Sequence, residues 1–487
     1  MLRVLLPILA FAATALGVDV TVALRDDPEA GVLEPSLFGG NLQWIERGDG
    51  VMEDGALWNM EKLEAVRRLR PPLVRFPGGA LASAYDWERG VGGGAQRGTG
   101  SDAPGGPQTM HFGTLEYLDF LHRAGAEGMI TLNLNKDPET SAGWLRFVKE
   151  MGPGFEPASA VPWWEVGNES YLRTDPSFCT AEEYVGRFAG HYGRLKAVDR
   201  EARVGAILEA NFLGLPWVKP IIPENDSWND TVIEGLKARG IAADFYGIHF
   251  YALFDADLSH RKNIQTLLVA PAVIGDKIAR LRRTLRERGA DAPVFVTEFN
   301  IFMKDPVTNW KYCLDPVQAP YMMDMLMTFA QTGVRGACVW SLLGNWNFGL
   351  YGEDYPYTMK KPGVSGYRPG AEAYMKLADY RGREMLATEI DAPDARFDPV
   401  GIVTAADKMK VMNAVGLKPR APGEGPVLLV VNRSAGETLA LRCDWNGRGA
   451  VPVAAESVAR PPAKGPKIAK GAVTLPPMCA AIITYAP

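Results

Sequence analysis

The stretch WWEVGNES, residues 163–170, decides the fold and points to the chemistry. It begins with apolar, strand-forming residues and ends in glycine, asparagine and glutamate. This order is typical of a buried strand whose last side chains lie at the mouth of a sheet or barrel. A second stretch, VFVTEFN at residues 294–300, is again an apolar strand that reaches a carboxylate. Glu169 and Glu298 therefore form the minimum set for glycoside hydrolysis, in which one carboxyl protonates the leaving oxygen and the other attacks the anomeric carbon or activates water.

Strand-like and helix-like segments alternate on both sides of these two stretches. Helical periodicity falls near residues 61–70, 181–198, 229–239, 268–289, 318–332 and 370–380. Apolar strand segments fall near residues 37–44, 72–76, 130–134, 163–166, 204–208, 245–251, 294–298 and 336–341. Eight such repeats predict a closed α/β fold, the (β/α)8 or TIM barrel. A doubly wound open sheet is the alternative, but no Gly-rich phosphate loop opens a helix in this sequence.

The character of the sequence changes near Glu384. Helical periodicity stops, and short β-rich runs such as VLLVVN (427–432) and AAIIT (480–484) are separated by turns rich in Pro, Gly and Lys. This pattern predicts a C-terminal antiparallel β-sandwich domain. We therefore expect a signal peptide at 1–17, an N-terminal strand at 18–33 that packs on the β-sandwich, a catalytic barrel at 34–383 and the sandwich at 384–487.

Residues 1–17 have the pattern of a signal peptide. Arg3 supplies a positive charge, an apolar run follows, and Ala15 to Gly17 are small residues at the cleavage positions. The run is too short to cross a bilayer, so we expect a secreted or periplasmic protein with no membrane partner once the leader is removed. A net charge of −5 gives no basic footprint for nucleic acid.

The five cysteines and five histidines show no metal-site spacing, so we expect no metal and no cofactor. Export permits disulfides, and Cys443 could pair with Cys479. A large core does not need such a bond, so the sequence leaves this pairing open.

The motif RFPGG at 75–79, with Tyr85 and Trp87 beyond it, resembles the second-strand motif of glycoside hydrolase family 51, whose best-known members are α-L-arabinofuranosidases. Together with the glutamates of NE (168–169) and TEFN (297–300), it resembles clan A retaining glycosidases in general. The resemblance covers roughly positions 36 to 170 and the second glutamate strand, and extends more loosely beyond them. It implies a TIM barrel with the two glutamates at the ends of strands four and seven, a carbohydrate substrate and net retention, for which the carboxyl groups lie about 5 to 5.5 Å apart.

The resemblance assigns the nucleophile to Glu298 and the general acid/base to Glu169. Strict strand alternation places Val294, Val296 and Glu298 on one inward face. The nucleophile must be ionised, and Arg75 at the end of the second strand is the candidate cation that keeps it so. The charge of Glu298 in turn raises the pKa of Glu169 and keeps that carboxyl protonated until it donates.

Further side chains are expected to bind the sugar. Asn168 is assigned to the sugar's 2-hydroxyl, although strict alternation would turn it away from Glu169 unless the strand ends or bulges there. The remaining candidates are polar residues on strand six, an aromatic at the end of strand eight that could form a stacking floor, and residues of the first-strand loop: His249, Tyr251, Trp340, Gln43 and Trp44.

Two departures leave the sugar open. Ala80 stands where family 51 carries an asparagine after the Gly-Gly pair, and Gln43 aligns with a glutamate. Trp44, Tyr85, Asn133 and Asn345 are candidates to fill the gap. The alternatives within the clan are β-xylosidase, endo-β-glucanase and glucuronidase activity. A catalytically silent carbohydrate-binding barrel is the alternative of another class, against which the presence of both glutamates argues.

Overall fold

The structure is a computed structural model that describes residues 17–93, 97–100, 107–155, 160–210, 228–254, 260–303, 315–344, 348–353, 365–395, 409–458 and 465–487. The predicted leader, apart from Gly17, lies outside these residues, as do Cys313 and Asn345.

Eight parallel strands close into a barrel, which confirms the predicted fold class. The chain order of the strands is also their order around the barrel, since each strand is followed by a crossover to its neighbour. The barrel strands are β2 (Gly39–Asn41), β3 (Leu73–Phe76), β6 (Glu127–Leu132), β7 (Trp163–Val166), β8 (Arg203–Ile207), β9 (Phe245–Phe254), β10 (Val294–Met303) and β11 (Gly336–Val339).

Helices surround the barrel and pack against it, most of them through one face. In α5, for example, Tyr184, Val185 and Phe188 are buried while the charged positions face outward. The helices are α1 (Ile45–Asp49, a single irregular turn), α2 (Met60–Leu69), α3 (Thr114–Ala124), α4 (Pro138–Met151), α5 (Ala181–Val198), α6 (Trp228–Ala238), α7 (His260–Glu287), α8 (Gln318–Gln331) and α9 (Pro369–Ala378). Within the described ranges, no helix has both the length and the apolar character needed to cross a membrane.

Two short hairpins lie between these elements. One pairs β4 (Thr99–Gly100) with β5 (Gln108–Thr109), and the other pairs β12 (Tyr351–Glu353) with β13 (Ser365–Tyr367).

The C-terminal strands and the first strand form one sheet of mostly antiparallel strands. Among the described strands of this sheet, one pair, β1 with β17, is parallel, so the N-terminal segment is integral to this domain. The sheet folds over a core of its own, in which Val20 and Val22 pack with Val430 and Ile483. The strands are β1 (Val18–Arg25), β14 (Met385–Asp391), β15 (Met412–Leu417), β16 (Val427–Asn432), β17 (Leu439–Trp445), β18 (Arg448–Ala450), β19 (Pro452–Ser457), β20 (Lys467–Ala469), β21 (Ala472–Leu475) and β22 (Ala480–Tyr485).

The β-domain packs tightly on the barrel because β16 is apolar on both faces. Leu428 and Val430 belong to the core of the β-domain, whereas Leu429 and Val431 belong to the core that surrounds the barrel. A buried ion pair crosses the same interface: both oxygens of Asp324 on α8 accept from Arg433, at 2.6 and 2.8 Å.

The interior of the barrel is layered, as alternation along parallel strands requires. The lowest layer is apolar and comprises Leu73, Met129, Trp163, Phe245, Phe295 and Cys338. The layer above it is polar and contains Arg75, Glu165 and Thr297, all fully buried. Gly247 faces this layer, and a Cβ there would lie only 2.4 Å from Oε1 of Glu165, so the glycine leaves the room that the carboxylate occupies.

Candidate active site

Glu169 reaches the mouth of the barrel because β7 ends three residues before it. The strand stops at Val166, and Gly167 has a φ of +82°, a conformation that glycine adopts without strain. The backbone turn releases Asn168 and Glu169 from strict alternation, so both side chains belong to the same site. Strict alternation required the strand to end or bulge at this point, and the end of the strand is visible only in the structure.

Glu298 points into the barrel because β10 contains a bulge. The prediction that Val294 and Val296 share its inward face is wrong. Phe295 lies in the lowest inward layer, and Thr297 is adjacent to Glu165, whereas Val294 and Val296 pack outward against the helices. The pairing register of β10 shifts between Val296 and Glu298 against strand β9. This bulge inserts one residue and turns Glu298 inward, directly above Thr297.

Arg75 is the hub of the site. The guanidinium is fully buried and donates through Nη1 to Oε1 of Glu298 at 2.8 Å and to Asn41 at 3.0 Å. Its Nε donates to Oε2 of Glu165 at 2.7 Å, and its Nη2 donates to Oδ1 of Asn168 at 2.8 Å. One cation thus fixes the carboxylate of Glu298, the amide of Asn168 and the carboxylate of Glu165 in a single arrangement.

The environment of Glu298 favours the carboxylate. Burial opposes ionisation, but the positive charges of His249 and Arg75 and a hydrogen bond from Tyr251 outweigh it and hold the pKa of Glu298 below its ordinary value. The hydroxyl of Tyr251 donates to Oε2 at 2.7 Å. The arrangement matches the sequence prediction that Arg75 keeps this group ionised.

The environment of Glu169 favours the protonated acid. Burial raises the pKa of Glu169, and the charges of Glu298 and Asp175 act in the same direction against the hydrogen bond with His249. Oε1 of Glu169 lies 2.9 Å from Nδ1 of His249. The side chain keeps 17% of its exposure, so the acid can reach a bound molecule.

The two carboxyl groups lie close together. Among the described residues, one ligand atom each of Glu169, His249 and Glu298 lies within 4.8 Å of the other two. This spacing fits the short separation of retaining glycosidases and is well below the roughly 6.5 to 9.5 Å of inverting enzymes. The same three groups could geometrically hold a cation, but the guanidinium of Arg75 already supplies a positive charge 2.8 Å from Glu298.

Comparisons with known proteins agree with this geometry. The family model of the alpha-L-arabinofuranosidase 1 domain matches residues 65–219. An intracellular exo-alpha-(1->5)-L-arabinofuranosidase of Halalkalibacterium halodurans is 22% identical over 465 residues, which cover 87% of this chain and 87% of that one. The chain is a glycoside hydrolase, and it resembles family 51. Such hydrolases cleave O-glycosyl bonds by retaining double displacement.

Solved structures share the fold of this glycoside hydrolase over nearly its whole length. A family 51 alpha-L-arabinofuranosidase from Bifidobacterium longum superposes with a TM-score of 0.75 at 17% identity, covering 95% of this chain and 99% of that one. An arabinose complex of the Thermotoga maritima alpha-L-arabinofuranosidase gives a TM-score of 0.72 at 18% identity, covering 96% and 100%. At these identities the likeness concerns the fold.

Trp340 lies at the end of β11, beside the glycines that follow β3. A Cβ at Gly79 would meet the ring at 2.5 Å, and one at Gly78 would meet it at 3.3 Å. The two glycines of the PGG motif therefore let the indole lie directly on the backbone. The ring is only partly buried, as a stacking surface in a glycosidase must be.

Gln43 is held in place by a carboxylate that the sequence analysis missed. Its backbone N–H donates to Oδ2 of Asp49 at 2.9 Å, and its Nε2 donates to Oδ1 at 3.0 Å. Burial raises the pKa of Asp49 to about 7. A glutamate at position 43 would place two carboxylates in contact, so the glutamine is the residue that fits beside Asp49.

Three expectations about sugar contacts are wrong. Trp44 is fully buried rather than at the rim, because the β4–β5 hairpin covers it and Gly100 lies against the indole. The side chain of Asn133 is used within its own loop, where Nδ2 donates to the carbonyl of Tyr85 and Oδ1 accepts from the N–H of Asn135. Tyr85 is itself buried in an aromatic cluster with Trp44.

The C-terminal cysteines are free thiols. Cys443 and Cys479 are both buried and unbonded, and burial raises their pKa values to about 11 and about 12.

Proposed function

We propose that this protein hydrolyses α-L-arabinofuranosides with net retention, with Glu298 as nucleophile and Glu169 as general acid/base. One observation carries the proposal: the two carboxyl groups have oxygens within 4.8 Å of each other, and their surroundings shift the two pKa values in opposite directions. Environments that separate two such pKa values are typical of an acid and a nucleophile that act together.

In the first step, the carboxylate of Glu298 forms a bond to the anomeric carbon while the bond to the leaving oxygen breaks. Glu169 gives its proton to that oxygen. Arg75 and Tyr251 each donate a hydrogen bond to a different oxygen of Glu298, so they orient the carboxylate for attack.

In the second step, Glu169 acts as the base. The ester has removed the charge of Glu298, and one of the causes that raise the pKa of Glu169 is gone. The ionised Glu169 takes a proton from water, whose oxygen attacks the anomeric carbon and releases Glu298. His249 lies 2.9 Å from Glu169 and 3.7 Å from Glu298, so it can follow these changes of charge.

The choice of arabinofuranose draws support from the relatives. The matched family model and the Halalkalibacterium protein both bear the name of this activity. Gln43 and Asn168 offer neutral amides to a sugar, and Trp340 offers an apolar face.

We further propose that the protein is exported, because residues 1–17 have the composition of a signal peptide. Two relatives are named intracellular, so export of this protein requires a direct test. Cell fractionation with N-terminal sequencing of the mature chain tests it: a chain that keeps Met1 in the cytoplasm would contradict export.

The test of function is a panel of aryl glycosides: α-L-arabinofuranoside, β-D-xyloside, β-D-glucoside and β-D-glucuronide, with soluble β-glucans for endo action. We expect the highest kcat/KM on the arabinofuranoside and its loss in Glu298→Ala. A higher kcat/KM on another glycoside of the panel would change the assigned sugar but leave the assigned catalytic mechanism in place. Binding of arabinose-containing oligosaccharides with no turnover of any substrate would instead indicate a silent barrel.

A further inference from the structure

Asp175 is a buried carboxylate behind the catalytic pair. It follows Glu169 by six positions, in the loop before α5, and is 5% exposed. Its Oδ2 accepts from Nδ2 of Asn168 at 3.0 Å. Its Oδ1 accepts from the backbone N–H of Ser177 at 2.8 Å, from that serine's hydroxyl at 2.7 Å, and from the hydroxyl of Ser83 at 2.8 Å.

The donor and the acceptor are determined for each hydrogen bond that runs from Arg75 through Asn168 to Asp175. Arg75 can only donate, so the atom of Asn168 that faces it must be the carbonyl oxygen. The amide nitrogen of Asn168 then faces Asp175 and must donate, so it needs an acceptor there. The other oxygen of Asp175 must also accept, because the backbone N–H of Ser177 faces it and can only donate. Only a carboxylate satisfies both sides.

We propose that Asp175 is a positioning residue that fixes the amide of Asn168 so that an N–H, and never the carbonyl, is presented to the substrate. One hydrogen of Nδ2 is used by Asp175, and the carbonyl is used by Arg75. The second hydrogen remains for a sugar hydroxyl beside Glu169. This inference rests on the proposed function, since it assigns Asn168 to the sugar.

The charge of Asp175 gives the same residue a second effect. It is one of the groups that raise the pKa of Glu169. A neutral residue at this position therefore releases part of that shift, and the basic limb of kcat/KM moves to lower pH.

Asp175→Asn is the informative change because it keeps size and burial. The new side chain must still offer its oxygen to the N–H of Ser177, so its NH2 faces the NH2 of Asn168. Two donors cannot share a hydrogen bond. If Asn168 flips to relieve this clash, its NH2 meets the guanidinium of Arg75 instead, and the N–H meant for the sugar is lost in either case.

The experiment compares an aryl arabinofuranoside with its 2-deoxy analogue. For Asp175→Asn we expect kcat/KM on the parent to fall about 10- to 100-fold, as for a lost hydrogen bond in a buried site. The variant should stay within about threefold of wild type on the 2-deoxy substrate, because Asn168 then has no hydroxyl to bind. A fall of equal size on both substrates would overturn the proposal, since a general structural defect acts on both.

Two further variants separate positioning from folding. Asp324→Asn removes an equally buried, ion-paired carboxylate at the barrel–sandwich interface, and we expect it to lower the melting temperature without changing the ratio between the two substrates. Asn168→Asp combined with Asp175→Asn restores the bond directions, because a carboxylate now faces both Arg75 and the new amide. We expect this pair to regain the melting temperature but not the discrimination for the 2-hydroxyl. Recovery of both would contradict the proposal.

A failure of the sugar assignment remains distinguishable. If wild type does not cleave the arabinofuranoside, the proposed function fails, and the comparison is repeated with the 2-deoxy form of whichever panel glycoside is cleaved.

Discussion

Tyr251→Phe removes a single hydroxyl that donates to the proposed nucleophile. The hydroxyl lies 2.7 Å from Oε2 of Glu298, and the ring packs edge-on against Phe348 at a centroid distance of 6.3 Å. Phenylalanine keeps the ring and leaves only the small gap of the missing oxygen. Arg75 still binds the other carboxylate oxygen, so the change removes the hydrogen bond to Oε2 and keeps the ion pair.

The size of the effect follows from the charge of the acceptor. A hydrogen bond to an ionised group is worth about 1.5 to 3 kcal/mol, and one pKa unit corresponds to about 1.4 kcal/mol. The pKa of Glu298 should therefore rise by about 1 to 2 units in the variant. The sign is fixed because the hydroxyl stabilises only the ionised form. The acidic limb of kcat/KM, which reports the free enzyme, should move upward in pH by the same amount.

The assay is kcat/KM on the aryl arabinofuranoside from about pH 3 to 8, with circular dichroism at each end. Tyr321→Phe is the matched control: it removes a buried hydroxyl that donates to the backbone carbonyl of Asn300, two residues along the same strand, at 3.0 Å. We expect the control to leave the acidic limb in place. An unmoved limb in a folded Tyr251→Phe enzyme would refute the reasoning about how Glu298 is kept ionised.

Three further predictions follow from the same contacts. Glu169→Ala should spare aryl substrates with very good leaving groups, and azide should accelerate its second step; equal losses for good and poor leaving groups would contradict the acid/base role. Gln43→Glu should lower kcat/KM because it meets Asp49, and adding Asp49→Asn should restore much of the loss; a better single variant would contradict the contact. The raised pKa of Asp49, about 7 against 3.8, means that the folded state holds this proton more tightly. This group should therefore reduce the unfolding free energy as pH rises from about 4 to 7, by on the order of 4 kcal/mol, and urea titrations of Asp49→Asn should show a flatter pH dependence over that window.

The barrel could be predicted because its signal is local and repeated. Each strand–helix unit must bury an apolar strand and one helix face, so the alternation is written along the chain. Strand-end carboxylates were recognisable for the same reason, and Arg75 could be expected near Glu298 because all strands of a parallel barrel end at the same mouth.

The errors have physical causes that are not local. The direction of Glu298 depends on a bulge that is visible only in the pairing of β10 with its neighbours, and period-two reasoning assigned the wrong face. Trp44 looks like a rim aromatic in the sequence, but a hairpin more than fifty residues later covers it. Asp49 and Asp175 cannot be distinguished in the sequence from ordinary loop aspartates, because their roles come from hydrogen bonds that only the folded backbone creates.

The most direct test of the central claim is to identify the residue that carries the sugar in the covalent intermediate. A 2-deoxy-2-fluoro arabinofuranoside with a good leaving group should slow the second step, and peptide mapping by mass spectrometry then locates the label. We predict one sugar per chain, attached to Glu298 and absent from Glu298→Ala. A label on Glu169, or rapid turnover to a product of inverted configuration with no label, would contradict the assignment of the nucleophile.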